Sequence, residues 1–263
     1  MDDMKHYMIS NYVRRYDANL AKVICYPFSN VREQFFNRMN DLLKLGVDKI
    51  FSQGRVQIGK IRVLGKGHTS IVILGERRGL KVAIKVLRLD ANRKSMKREA
   101  LMLARANAVS VGPKFITFSK NFLIYEYVEG VLLGEWILKV NSIDLLRRVL
   151  VILAQQTWRL DSIGLVHLEL SNPKKHIIIE KSTYNPVIID FETASFLSTK
   201  SNLTRVIQYF LLNPRLKNEL LMSLREKISK EELYRLLKLY KIRREWKVAK
   251  EIIFMISNAG GGI

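Results

Sequence analysis

A lysine stands in the middle of an apolar run, Val82-Ala83-Ile84-Lys85-Val86-Leu87. The run is rich in β-branched residues and reads as a strand that is apolar on both faces. Alternation puts Lys85 on the face of Ala83 and Leu87. Such a strand must bury the amine. An unpaired buried charge is expensive, so a partner has to reach it. The next helix, expected over about residues 93–107, offers one. Met96, Glu99, Ala100, Leu103 and Ala106 fall on a single stripe, which places Glu99 on the apolar side. Together the two groups make a structural ion pair or a polar clamp for phosphates. Buried pairs are weak stabilisers, which favours the clamp.

The residues before Lys85 strengthen that reading. Ile61 and Val63 alternate with Lys60 and Arg62 as in a half-buried strand. Further strands are expected over 69–74 and 81–89, with a turn at Glu76-Arg77-Arg78-Gly79. These three strands read as an antiparallel meander with Gly65-Lys66-Gly67-His68-Thr69-Ser70 at its first hairpin. Gly65 and Gly67 let backbone amides approach phosphate oxygens closely. The loop is not a Walker loop, because no Gly-Lys-Ser/Thr opens a helix.

Upstream, residues 1–54 read as a helical extension. Asn30 with Glu33 suggests a capping box, Val31, Phe35, Met39 and Leu42 form an apolar stripe, and Gly46 is a natural stop. Downstream, short strands are expected near Phe115 and over 122–127. A long helix follows over 144–163, ended by Gly164. Strands at 177–180 and 187–190 flank the Tyr184-Asn185-Pro186 turn, and helices fill 203–256, one opening on Ser229 with Glu232. The tail Gly260-Gly261-Gly262 is expected to fray.

Six motifs in this order resemble the protein-kinase superfamily over roughly residues 58–196. Gly65 to Val72 is similar to the glycine-rich loop, with Ser70 in place of the third glycine. Val82-Ala83-Ile84-Lys85 resembles the strand of the phosphate lysine, and Glu99 its helix partner. Tyr125-Glu126-Tyr127-Val128-Glu129-Gly130 resembles the hinge, and Gly164-Leu165-Val166-His167-Leu168-Glu169-Leu170 the catalytic loop. Ile188-Ile189-Asp190-Phe191-Glu192 resembles the metal-binding segment. Within the superfamily the chain is most similar to small atypical archaeal serine/threonine protein kinases, RIO kinases and the kinase of the archaeal tRNA-threonylcarbamoylation complex.

The resemblance implies an α+β, two-lobed fold. It has an antiparallel small-lobe sheet plus one helix over 55–128 and a reduced, mainly helical lobe over 129–263. ATP would lie between the lobes, with Gly65, Gly67, Val72, Ala83, Lys85, Glu126 and Val128 as its contacts. Lys85, held by Glu99, would meet the α- and β-phosphates, Asp190 would hold Mg²⁺, and Glu169 would orient or deprotonate the acceptor hydroxyl of a protein serine or threonine. The chain also departs from the family pattern. Glu169 stands where the family has a catalytic Asp, and Leu168 where it has an Arg. The metal-binding Asn is displaced, leaving Asn172 and His176 as candidates. No Ala-Pro-Glu triplet follows Asp190, after which 73 residues remain. An alternative reading is therefore a nucleotide-binding pseudokinase or ATPase-type switch on RNA or a ribosomal particle. A small-molecule kinase ranks third.

Composition sets the wider limits. Hydrophobic residues make up 48% and charged residues 26%, an ordinary globular balance. The formal net charge is +21, which favours polyanionic partners and a basic surface able to contact RNA or ribosomes. Between residues 200 and 263 stand 14 Lys or Arg against six acids. The one cysteine, Cys25, supports neither an internal disulfide nor a cysteine zinc site, and it fits a reducing, cytoplasmic setting. The opening residues lack a signal pattern, and no apolar run suits a membrane span.

Overall fold

A computed structural model describes residues 5–259. The Gly260-Gly261-Gly262 tail lies outside the described residues. The chain divides into two units, Met1–Leu101 with Lys114–Tyr127, and Met102–Pro113 with Val128–Ile263. The architecture is α+β, with a mostly antiparallel sheet in the N-terminal part and a helical C-terminal part.

The first unit is built on β1 (His6–Met8), β2 (Val47–Phe51), β5 (Gly65–Lys66), β6 (Ser70–Arg77), β7 (Leu80–Leu87), β8 (Phe115–Phe118) and β9 (Phe122–Glu126). The strand order is β1-β2-β6-β7-β9-β8, with β5 also on β6. The long edge of β6 is shared. Leu74 to Arg77 pair with β2, and Ile71 and Val72 pair with β5. Arg78 and Gly79 both take positive φ, so β6 and β7 are joined by the tight two-residue turn whose twist suits a hairpin.

Three helices, α1 (Ile9–Tyr12), α2 (Ala18–Ile24) and α3 (Arg32–Lys44), lie in the first 54 residues. Their apolar stripes share one buried cluster with Ile71, Ile73, Val82, Ile84, Val86, Phe122 and Ile124, which all stand on one face of the sheet. The segment expected to be a separate extension is thus also part of the sheet. Strands β1 and β2 extend the sheet, and the helices cover its face. Cys25 lies in this cluster, and burial pushes its thiol up to about 11.

Local details differ from expectation for physical reasons. Ile61–Val63, β4, does not start the meander. It pairs with β3 (Val56–Ile58) as a separate two-stranded ladder, and the short β5 takes the place beside β6. Helix α3 is capped at Val31 with no side-chain bond, so the Asn30–Glu33 box does not form. Helix α4 spans Lys97–Asn107, because the residues before it remain a loop that turns Arg93 back toward Glu99.

The second unit carries a small sheet, β10 (Gly130–Leu132), β11 (Ile177–Glu180) and β12 (Pro186–Ile188), and six helices. These are α5 (Leu133–Trp136), α6 (Ile143–Ser162), α7 (Asn202–Ile207), α8 (Glu219–Glu226), α9 (Lys230–Arg243) and α10 (Trp246–Asn258). Helix α7 runs on into a π-type segment, Gln208–Leu212. Ser142 caps α6, and Gly164, at φ +72°, closes its end. Ser229 caps α9 by accepting from the Glu232 amide, but Glu232 gives its own carboxylate to Arg235. Half of the expected box therefore forms. Among the described residues no helix is long and apolar enough to cross a membrane.

Candidate functional site

In the first unit the sheet register assembles a row. Gly65 pairs with Val72, Val72 with Lys85 and Lys85 with Leu123. Directly paired residues share a face, and Ala83 joins them two positions along. This is the face opposite the N-terminal helices. Lys85 is 4% exposed and its Nζ lies 2.6 Å from Glu99 Oε1, with Glu99 itself 2% exposed. Met96, Ala100, Leu103 and Ala106 are buried around the same helical stripe, as the sequence spacing predicts. The amine and the acid singled out from the sequence do meet.

Arg93 was not singled out, yet its Nη1 donates to the second oxygen of Glu99 at 2.9 Å. One carboxylate therefore serves two cations. The sequence signal was weak, because Arg93 lies in a loop with no periodicity to place it.

The glycine loop is held from outside. The Gly67 amide donates to the Ser70 carbonyl at 2.8 Å, and Arg88 donates to the Gly67 carbonyl at 2.9 Å. Asp90 in turn accepts from both Arg88 ends. A Cβ added at Gly65 would meet nothing within 4 Å, and one at Gly67 only ordinary contact at Ser70. Neither has a positive φ. The chain's own packing does not require either residue to be glycine, so their bareness leaves room for something else.

The remaining residues of the expected nucleotide set are less confined. Glu126 ends β9, and its amide donates to the Lys114 carbonyl. Tyr127 closes the first unit and Val128 opens the second, so the expected hinge is the point where the chain passes between units.

In the second unit the backbone brings Glu169, His176 and Asp190 together. The Ile189 amide donates to the His176 carbonyl at 2.9 Å, beside the Ile177–Ile188 pair. This fixes His176 next to the residue before Asp190. Asp190 itself adopts the left-handed region, φ 68° and ψ 67°, which is strained for a residue other than glycine. His176 Nε2 stands 3.7 Å from Glu169 Oε1, and its Nδ1 stands 3.7 Å from Asp190 Oδ2. One ligand atom from each of the three lies within 4.8 Å of the others. Glu169 Oε2 also accepts from the Thr193 hydroxyl at 3.1 Å.

Asn172, the other expected metal residue, is exposed. It lines a cavity of about 310 Å³ with Ser171, Lys174, Tyr209, Asn213, Arg215 and Leu216, a lining that does not include Asp190.

His167 braces this group. Its Nε2 faces the Ile189 carbonyl at 3.0 Å and must carry the proton there, so Nδ1 is left to accept from the Glu169 amide at 3.4 Å. Phe191 packs edge-on against the ring. Burial holds this imidazole below its usual value, so it stays neutral. Asn202 accepts from the His167 amide and donates to Leu165, while Asp161 accepts from Asn202, Ser201, Leu203 and Tyr240. Arg205 donates to the His167 and Leu168 carbonyls. None of Asp161, Asn202 or Arg205 was singled out from the sequence.

No protein-family model matches the chain, and no curated protein matches it either.

Proposed function

We propose that the chain is an ATP-dependent phosphotransferase of protein-kinase-like architecture, acting on a serine or threonine hydroxyl of protein. The observation that carries this reading is the buried Lys85–Glu99 pair, in sheet register with a glycine that the fold itself does not require. A buried pair of this kind adds little stability, so a ligand for the amine gives it a purpose. Lys85 would meet nucleotide phosphates, held in place by Glu99, with Arg93 as the carboxylate's second partner. Gly65 and Gly67 would present bare backbone to the phosphates. Glu169, with its amide bonded to His167, would orient the acceptor hydroxyl or take its proton. ATP supplies the phosphoryl group and its leaving group.

The test measures transfer of γ-labelled phosphate together with ATP affinity. Lys85→Met is expected to abolish transfer. Gly65→Ala is expected to leave the melting temperature unchanged and to weaken ATP binding, because the added methyl has space in the fold but not beside a ligand. Undiminished transfer by Lys85→Met overturns the reading.

One observation favours a second reading. Both Glu169 oxygens already have neighbours, Thr193 and His176, and a carboxylate so engaged is a poorer base. A nucleotide-binding switch without transfer would show ATP binding, no labelled product, and salt-sensitive binding to RNA consistent with the net charge of +21.

A further inference from the structure

The resemblance implies Mg²⁺, and the residues in place do not fit it. Mg²⁺ takes oxygen donors in a near-ideal octahedron and dehydrates reluctantly. Here the central donor is an imidazole. His176 Nδ1 is buried and has no hydrogen-bond partner, a state that native structures seldom tolerate without a reason. It faces a carboxylate at 3.7 Å, too long for a hydrogen bond, and the other ring nitrogen faces a second carboxylate at the same distance. Two cations of the chain's own type are not what lies between them, since Lys174 and Lys175 are exposed.

We propose that Glu169, His176 and Asp190 form a site for a transition-metal dication, in preference to Mg²⁺. Imidazole with carboxylates suits first-row transition ions, for which nitrogen donors add affinity that Mg²⁺ does not gain. The spacing agrees. Donors about 2.1 Å from one ion lie at most about 4.2 Å apart, and turning the half-exposed Glu169 side chain closes the present spread of 4.8 Å. The backbone is already set for it. The Ile189–His176 bond pins the imidazole beside Asp190, and the left-handed turn at Asp190 directs the start of the following helical turn. The inference concerns the ion that accompanies the nucleotide in the reading above, and rests on that reading only for this role.

The experiment uses the full chain with no nucleotide present. Mn²⁺ is titrated and read by electron paramagnetic resonance, with Mg²⁺ as competitor, for the wild type and for His176→Asn. The wild type is expected to bind Mn²⁺ at least about tenfold more tightly than Mg²⁺ and to show ¹⁴N coupling from the ring, and His176→Asn is expected to lose the coupling and about tenfold of the preference. Equal affinity for the two ions, or bound Mn²⁺ without nitrogen coupling in the wild type, overturns the proposal. The coupling is read on the unaltered protein, so the result stands even if the variant does not fold. Mn²⁺ ligation without phosphate transfer keeps this inference and removes the kinase reading. Mg²⁺-supported transfer without nitrogen coupling does the reverse.

Discussion

His167 shows how a single buried residue can make stability depend on pH. Its ring is fully buried, with both nitrogens committed to backbone groups. Burial lowers its affinity for a proton below the ordinary value of 6.5. Between that value and the folded one, the unfolded chain binds more protons than the folded chain, so stability rises with pH and falls as pH drops. The loss sets in below about 6.5 and continues until the folded-state value is passed. Urea midpoints taken from about pH 7.5 to 5.5 should show this slope, and His167→Gln should flatten it. An unchanged slope in the variant removes His167 as the cause. At this scale much of the site could be read from the sequence. Lys85 and Glu99 were found by asking why a charge sits on an apolar face. Arg93 and Arg88 were not, because they reach their partners from loops, where spacing carries no directional information.

Helices α3 and α6 each place an ionisable residue on the apolar stripe, by the logic that located Glu99. Arg38 stands among Phe35, Met39 and Leu42, and donates to the Ile24 carbonyl at 2.5 Å and the Leu87 carbonyl at 2.7 Å. Asp161 stands beside Leu160, one turn beyond Thr157. Both positions could be read from the sequence as anomalies, whereas their partners could not, because Asn121 and Asn202 are distant in the chain. Asp161 ties α6 to α7, α9 and the loop of His167. Burial raises its affinity for a proton even though amides and hydroxyls oppose that shift. Asp161→Ala would leave the Ser201, Asn202, Leu203 and Tyr240 donors without their shared acceptor. A loss of about 3 kcal/mol or more is expected, against about 1 kcal/mol for Tyr240→Phe, measured by denaturant unfolding. Equal losses would mean that the carboxylate is not the hub of the network.

Across the whole molecule, the division into a strand-rich and a helix-rich part follows from the period change visible in the sequence. The role of the first 54 residues did not. Their helical stripe was legible, but nothing local to β2 says that it pairs with β6, a contact between residues 27 apart at Lys49 and Glu76. A chain beginning at residue 55 would lose the helices that cover Ile71, Ile73, Val82, Ile84, Val86, Phe122 and Ile124. It is expected to aggregate and to show no cooperative melt by calorimetry. A monomer with a sharp transition would show that the segment is dispensable.

Arg38 also sets an order of events during translation. Its guanidinium can complete its bonds only after Leu87 and Asn121 have been synthesised, 49 and 83 residues later. Helix α3 therefore leaves the tunnel long before its burial can be satisfied. The oldest part of the nascent chain must wait for the youngest strands of its own unit, and a chaperone that shields that stripe in the interval would speed maturation without touching the finished protein.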